Sequence, residues 1–302
     1  MTSSVVIPTK DRPADIQKCV GSIIVQTVLP DELIIVDSSS TGISSENQIN
    51  CENIVGDKIG LIYLRSSPGV NKQRNLGAEK ASGEIILFLD DDVVLHADYI
   101  EKILEVYKLK DDAKLGGVQG SLFNYYNPNW INGVFKKFFF MTRASKNEKG
   151  RFLPSLGYVY ILEPKGIIEV EAMPAGLCSF YKKVFNKFKF DEDFDRCTDL
   201  EISYRVSRNY KLYQTPFALL THNHSESTHL PARDFNRKML INAYNLHRKH
   251  TPGKLKNHIA YCWSVVGEVI LNTIKSIKAL DARPILGILD GIRHIMQMNK
   301  EG

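Results

Sequence analysis

The sequence predicts an α/β fold: a twisted, mainly parallel sheet flanked by helices, with a C-terminal helical extension. Three observations predict it. Through the first third of the chain, short apolar runs alternate with segments whose apolar residues recur at helical spacing. The runs are almost wholly apolar, as in strands covered on both faces. After Arg233 the pattern is helical to the end.

Taken in order, Ser4-Val5-Val6-Ile7 reads as a strand, and Pro13 opens the next helix because its missing N–H and fixed φ suit the first helical position. Ile16, Cys19, Val20, Ile23, Ile24 and Thr27 then share one helical face. Leu33 to Val36 is a second strand and Leu61 to Leu64 a third. Pro68-Gly69 breaks the chain before a helix through Arg74 and Ala78. Ile85 to Leu89 is a fourth strand; Ile100, Ile103, Leu104 and Tyr107 mark another helix, and Val118 lies in a fifth strand. The stretch from Leu122 to Glu169 is rich in aromatics and Asn without a clear period, and reads as loops and short elements. Sheet and helix signals return from Val170, and three helices follow over Phe235–His250, Ile259–Ile277 and Pro284–Met298.

A net charge of +5 is mildly basic and not gathered into the stripe of a nucleic-acid binder, so no nucleic-acid partner is expected. The five cysteines are scattered, odd in number and without CxxC, which excludes a disulfide framework or zinc ribbon and points to a reducing compartment. The N-terminus lacks a basic region followed by an apolar one, so no secretory signal is read. No charge-free run reaches the roughly 20 apolar residues that span a bilayer. A cytoplasmic location is expected, with peripheral contact on the inner face of a membrane as an option. Tyr261, Trp263, Val265, Val266, Val269, Ile270 and Ile274, with Lys254, Lys256, Lys275 and Lys278 nearby, suggest an interfacial surface. Packing against the core or a second subunit is the alternative.

Right-handed crossovers put the C-terminal ends of parallel strands on one edge, where ligands bind. Asp90-Asp91-Asp92 follows the fourth strand directly. Three adjacent carboxylates repel one another, and a hard cation such as Mn²⁺ or Mg²⁺ relieves this while also binding a diphosphate. A solvated acidic turn is the competing reading. Asp37 follows the second strand, where it either accepts a hydrogen bond from a base N–H or forms an Asx turn. Thr9, Lys10 and Arg12 follow the first strand, placed for base or phosphate.

Four segments together resemble the family 2 glycosyltransferases of the GT-A fold, a Rossmann-like arrangement. Val5 to Arg12 is similar to that family's opening strand and nucleotide loop, and Leu33 to Ser40 to its second strand and base-contacting Asp. Arg74-Asn75-Leu76-Gly77 is similar to its RN-x-G helix, and Gly83 to Asp92 to the strand ending in its DxD metal motif. The resemblance resumes at Ala175 to Phe180 and at Thr198-Asp199-Leu200-Glu201-Ile202-Ser203-Tyr204-Arg205, which is similar to ED-x-D/E-L-S-x-R with Thr198 in place of Glu. It implies nucleotide contacts at Pro8, Thr9, Lys10, Arg12, Asp37, Arg74, Asp90 and Asp91, a metal ligand at Asp92, and a catalytic base at Asp199. Thr198 with Glu201 also reads as a capping box. His222 and His224 alternate on a strand and so share a face. In related enzymes a His here completes the metal site; His222 fits best and His224 is the alternate.

The resemblance implies a metal-dependent, hexosyl-type transferase that inverts configuration, with a UDP- or dTDP-sugar donor preferred. The acceptor would be a saccharide or a lipid-linked glycan in surface polysaccharide or glycolipid synthesis. Residues 1–230 would form the catalytic domain, 1–121 its nucleotide-binding half and 122–230 its acceptor and catalytic half, with 231–302 a helical region and a homo-oligomer an option. Two alternatives compete. A sugar-1-phosphate nucleotidyltransferase would carry a Gly-rich loop where this chain has Pro8-Thr9-Lys10-Asp11-Arg12. A non-catalytic carbohydrate- or membrane-surface-binding protein would have no use for Asp37, Asp92 and Asp199 together.

Overall fold

The computed structural model describes residues 1–110, 112–124, 130–223 and 230–301. The chain forms two compact units. The first comprises Met1–Tyr126, Leu162–Asp193 and Thr198–Ser225; the second comprises Asn127–Ile161, Phe194–Cys197 and Glu226–Gly302.

The first unit is built on β1 (Ser3–Thr9), α1 (Pro13–Ile23), β2 (Glu32–Asp37), α2 (Thr41–Val55), β3 (Gly60–Arg65), α3 (Val70–Lys80) and β4 (Ile85–Leu89). Then come β5 (Val93–Leu95), α4 (Tyr99–Leu109) and β6 (Leu115–Leu122). Its later pieces are β9 (Ile168–Val170), β10 (Leu177–Tyr181), α6 (Lys182–Phe188), α7 (Thr198–Ser207) and β11 (Lys211–His222). Among the described residues, nine strands form one sheet in the order β3-β2-β1-β4-β10-β6-β11-β5, with β9 also on β11. β3, β2, β1 and β4 run parallel, as does β6 with β11, whereas β10, β5 and β9 run antiparallel to their neighbours.

The expected strands and helices of the first third are all present. β1 and β4 are wholly buried, and α1 turns Ile16, Cys19, Val20 and Ile23 inward, as their spacing predicts. Pro13 sits in the first turn of α1. α2 was not foreseen because its inward face carries Ser44 and Asn47 besides Cys51 and Val55, so apolar periodicity is weak. α3 lies close on the sheet at Gly77, where an added Cβ would overlap Val6 and stand 3.2 Å from Cγ2 of Val36. A ring cluster of Phe88, Phe185 and Phe190 fills the core near β4, with centroids 4.8 and 5.2 Å from Phe88.

The second unit holds α5 (Trp130–Phe138), the parallel pair β7 (Arg143–Ser145) and β8 (Val159–Ile161), and three helices: α8 (Ala232–His250), α9 (Leu255–Ala279) and α10 (Arg283–Glu301). The three C-terminal helices match the expectation to within a few residues. Asn127–Ile161 belongs to the same unit as these helices, so compactness and the expected division at residue 230 follow different lines. Among the described residues, no helix is long and apolar enough to cross a membrane.

Candidate active site

Parallel pairing sets the ends of β1, β2 and β4 on one edge of the first unit's sheet. Thr9 is level with Asp37 across the β1–β2 ladder, and Asp90-Asp91-Asp92 follows β4. Gln73 of α3 ties the two loops from behind, its buried Nε2 donating to the carbonyls of Thr9 at 2.9 Å and Val36 at 2.7 Å. Asp11 adopts φ +54° and donates its N–H to Ser39 Oγ at 2.7 Å, joining the β1 and β2 loops again.

Asp37 is fully buried and faces inward. Its Oδ1 accepts the Ser39 N–H at 2.6 Å, which is an Asx turn, and its Oδ2 accepts Tyr63 Oη–H at 2.5 Å and Asn47 Nδ2–H at 3.2 Å. Burial opposes ionisation of Asp37, but donation from Ser39, Tyr63 and Asn47 outweighs it and holds the carboxyl below its ordinary range. Asp37 therefore orders the loop after β2 from beneath. Nothing in the sequence marks Tyr63 or Asn47 for this role: Tyr63 reads as one residue of the third strand, and Asn47 lies on a helix of weak apolar periodicity.

The acidic run is interlocked with cations from three other segments. Thr9 Oγ1 donates to Asp91 Oδ2 at 2.7 Å. The Arg12 guanidinium reaches Asp91 Oδ1 at 2.8 Å and Asp92 Oδ2 at 3.2 Å. Arg74, 4% exposed, holds Asp90 Oδ1 at 2.7 Å and lies over the Phe190 ring. His222 Nε2 is 2.9 Å from Asp92 Oδ1. Register explains this last meeting. β5 begins immediately after Asp92 and pairs antiparallel with the end of β11, setting His222 opposite Val93. Burial pushes the Asp91 carboxyl up to about 6, against the pull of Arg12 and Thr9. The hydrogen bond with Asp92 raises the His222 imidazolium above its ordinary value, against the opposing effect of burial.

Two small residues border the run. The Gly176 carbonyl accepts the Asp90 N–H at 3.2 Å, and a Cβ at Gly176 would overlap the Asp90 carboxylate. Cys19 Sγ lies 3.5 Å from the Asp90 carbonyl. Among the implied nucleotide contacts, Pro8 is buried within β1 and Lys10 is exposed.

Asp199 stands in the first turn of α7, half-buried. Burial pushes the Cys178 thiol up to about 12; Arg74 opposes the shift, while the charges of Asp90 and Asp199 reinforce it. One thiol on β10 thus lies within electrostatic reach of both carboxylates. α7 is anchored by Glu201, fully buried, whose carboxylate pairs with Arg205, with Arg205 Nε at 2.8 Å from Oε1. Arg205 also donates to the Lys189 carbonyl at 2.8 Å. His224 lies outside the described residues.

Asp90, Asp92 and His222 each offer a ligand atom, all within 4.8 Å of one another. Two carboxylates and an imidazole form a hard, oxygen-rich set that suits Mn²⁺ or Mg²⁺. The residues present therefore fit a divalent cation. The family resemblance implies a nucleotide contact at Asp90; its place beside Asp92 and His222 is a product of the sheet.

A match to Glycosyl transferase family 2 covers residues 4–159. Glycosyltransferase GlyA of Streptococcus pneumoniae serotype 4 is 28% identical over 134 residues, which are 44% of this chain and 18% of GlyA. The chain thus spans a small part of that relative's length. Two solved structures share the fold. GalNAc-T7 with UDP, GalNAc and Mn²⁺ superposes with a TM-score of 0.61 at 18% identity, over 82% of this chain and 48% of that one. The mannosyltransferase PcManGT from Pyrobaculum calidifontis, in complex with GDP-Man and Mn²⁺, gives 0.59 at 14% identity, over 96% and 85%.

Proposed function

The chain belongs to glycosyl transferase family 2, and from that premise we propose that it moves a sugar from a nucleoside-diphosphate donor to an acceptor hydroxyl with inversion at the anomeric carbon. The observation that carries this reading is the meeting of Asp90, Asp92 and His222 at the sheet edge, beside Arg12 and Arg74. Similar folds bind nucleotides with Mn²⁺, which supports the same use here.

Asp90, Asp92 and His222 would hold Mn²⁺ or Mg²⁺, which supplies Lewis-acid stabilisation of the diphosphate as it leaves. Arg12 and exposed Lys10 offer positive charge to the same phosphates, and Arg74 keeps Asp90 in place. Asp37 acts through the loop it orders, which with Pro8 and Thr9 shapes the base pocket. Asp91, held by Thr9 and Arg12, fixes the β1 loop against the acidic run. Asp199 takes the proton of the attacking acceptor hydroxyl. A single inverting displacement needs no covalent sugar–enzyme intermediate, so one base is enough. UDP- or dTDP-sugars are the preferred donors and a saccharide or lipid-linked glycan the acceptor, in surface polysaccharide or glycolipid synthesis.

The test combines a donor screen with one substitution. Sugar nucleotides are ranked by thermal shift with and without Mn²⁺, and transfer by the best donor is measured for wild type and Asp199→Asn. Transfer should fall by roughly 10²–10⁴-fold, with donor binding retained. Substantial transfer by Asp199→Asn would remove that residue from the role. Pyrophosphate release from a nucleoside triphosphate and a sugar phosphate would indicate nucleotidyl transfer instead.

A further inference from the structure

We propose that the outer face of α9 docks this protein on an anionic lipid surface. A helix packed on a globular core turns its large aliphatic residues inward and its polar ones outward. α9 departs from this: most of its fully buried positions are small or polar, and several of its large aliphatic residues face outward. Its buried residues are Ala260, Tyr261, Gly267, Asn272 and Ser276. Gly267 allows close approach, since a Cβ there would stand 2.7 Å from Met141 Sδ. Asn272 donates to the Glu268 carbonyl at 2.9 Å and accepts from Asn236 at 3.2 Å, while Ser276 Oγ accepts the Ile285 N–H at 3.2 Å. The inward face is thus close-packed at Gly267, hydrogen-bonded at Asn272 and Ser276, and aromatic at Tyr261.

The outward face carries Leu255, Ile259, Val266, Ile270, Ile274 and Ile277, from 37% to 71% exposed. Their spacing of three, four or seven residues sets them in one stripe along the helix. Phe138 of α5, 63% exposed, widens the stripe; its carbonyl accepts Trp263 Nε1–H at 3.0 Å. An apolar stripe this long marks an interaction surface.

Charge decides the occupant. Exposed Lys254 and Lys256 lie at one end of the stripe and exposed Lys278 at the other, while Lys275, seven residues after Glu268, lies on the Glu268 side of the helix. The single acid of α9, Glu268, is half-buried beside Asn272 rather than on the outer face. Pairing with a second copy would set lysine ends against lysine ends, in either orientation, with no carboxylate on the stripe to offset them. Anionic headgroups supply the missing charge, and the apolar stripe enters the headgroup boundary with the helix axis in the plane of the surface. No described helix crosses a membrane, so the contact is peripheral.

The full chain is tested by flotation with vesicles of phosphatidylcholine alone and of phosphatidylcholine mixed with phosphatidylglycerol. It should float with the mixed vesicles, less at high salt, and not with the neutral ones. Lys256→Glu with Lys278→Glu should weaken binding by roughly fivefold or more per lysine. Ile270→Glu with Ile274→Glu should abolish it while circular dichroism stays unchanged, because both positions face solvent. Failure of the wild type to float overturns the proposal. So does equal flotation with neutral vesicles. Self-association in sedimentation, lost in the double glutamate variant and without vesicle binding, would assign the stripe to a second copy and overturn it as well. Flotation needs neither donor nor acceptor, so its outcome is separate from that of the transferase reading.

Discussion

Replacing Gly176 by alanine should disable the cation group while leaving the sheet intact. A methyl there would overlap Oδ2 and Cγ of Asp90 and stand 3.0 Å from Oδ1, so the whole carboxylate must swing away. The swing breaks the 2.7 Å contact with Arg74, whose side chain is 5% exposed and would keep a charge with no partner at Nη2. Losing one member of a buried pair costs roughly 3–5 kcal/mol, but Asp90 is 31% exposed and partly screened, so about 1–3 kcal/mol is expected. Displacing a group that holds or orients a ligand weakens metal binding by roughly 10–100-fold. Calorimetric titration with Mn²⁺ and urea unfolding read the two effects. Gly166→Ala is the control, because nothing lies within 4 Å of a Cβ there. Wild-type Mn²⁺ affinity and unchanged stability in Gly176→Ala would refute the reasoning, since Asp90 would then be free to move without consequence.

Asp92→Ala should weaken Mn²⁺-dependent donor binding by at least about tenfold, read by calorimetry, and leave metal-independent binding unchanged. Gly77→Ala should destabilise by about 1–2 kcal/mol in urea, since overpacking against Val6 and Val36 exceeds the helix-propensity gain of about 1 kcal/mol. Asp37→Asn should cost about 1–3 kcal/mol at neutral pH through weaker hydrogen bonds. The folded pKa of Asp37 is depressed, so its contribution is present above the unfolded value of about 3.9 and is lost as pH falls through the lower folded value. The gap between wild type and Asp37→Asn should therefore close below about pH 4 in acid titration. Arg205→Met leaves the fully buried Glu201 without its guanidinium and should cost about 3 kcal/mol in urea unfolding.

Much of the fold was legible because strand and helix periods are local. The apolar runs at Val5, Ile34 and Leu87 became β1, β2 and β4, and the polar residues directly after them fell on one edge because the three strands are parallel. α2 escaped notice because Ser44 and Asn47 stand where apolar residues would mark a buried face. Asp37 illustrates the middle case. Its position was readable, but the inward turn of its carboxylate depends on Tyr63 and Asn47, which come from β3 and α2.

By itself the sequence determined the acidic run after β4, the candidate base at the start of α7, the histidine at the end of β11 and the helical C-terminus. Only the tertiary structure decided that Asp90 stands with Asp92 and His222, that Gly176 makes room for Asp90, and that α9 wears its aliphatic residues outside. The reason is physical. Backbone periodicity and capping act over a few residues, whereas the meeting of Asp92 with His222 depends on the short antiparallel register of β5 with β11, set by sheet order rather than by either segment's own pattern.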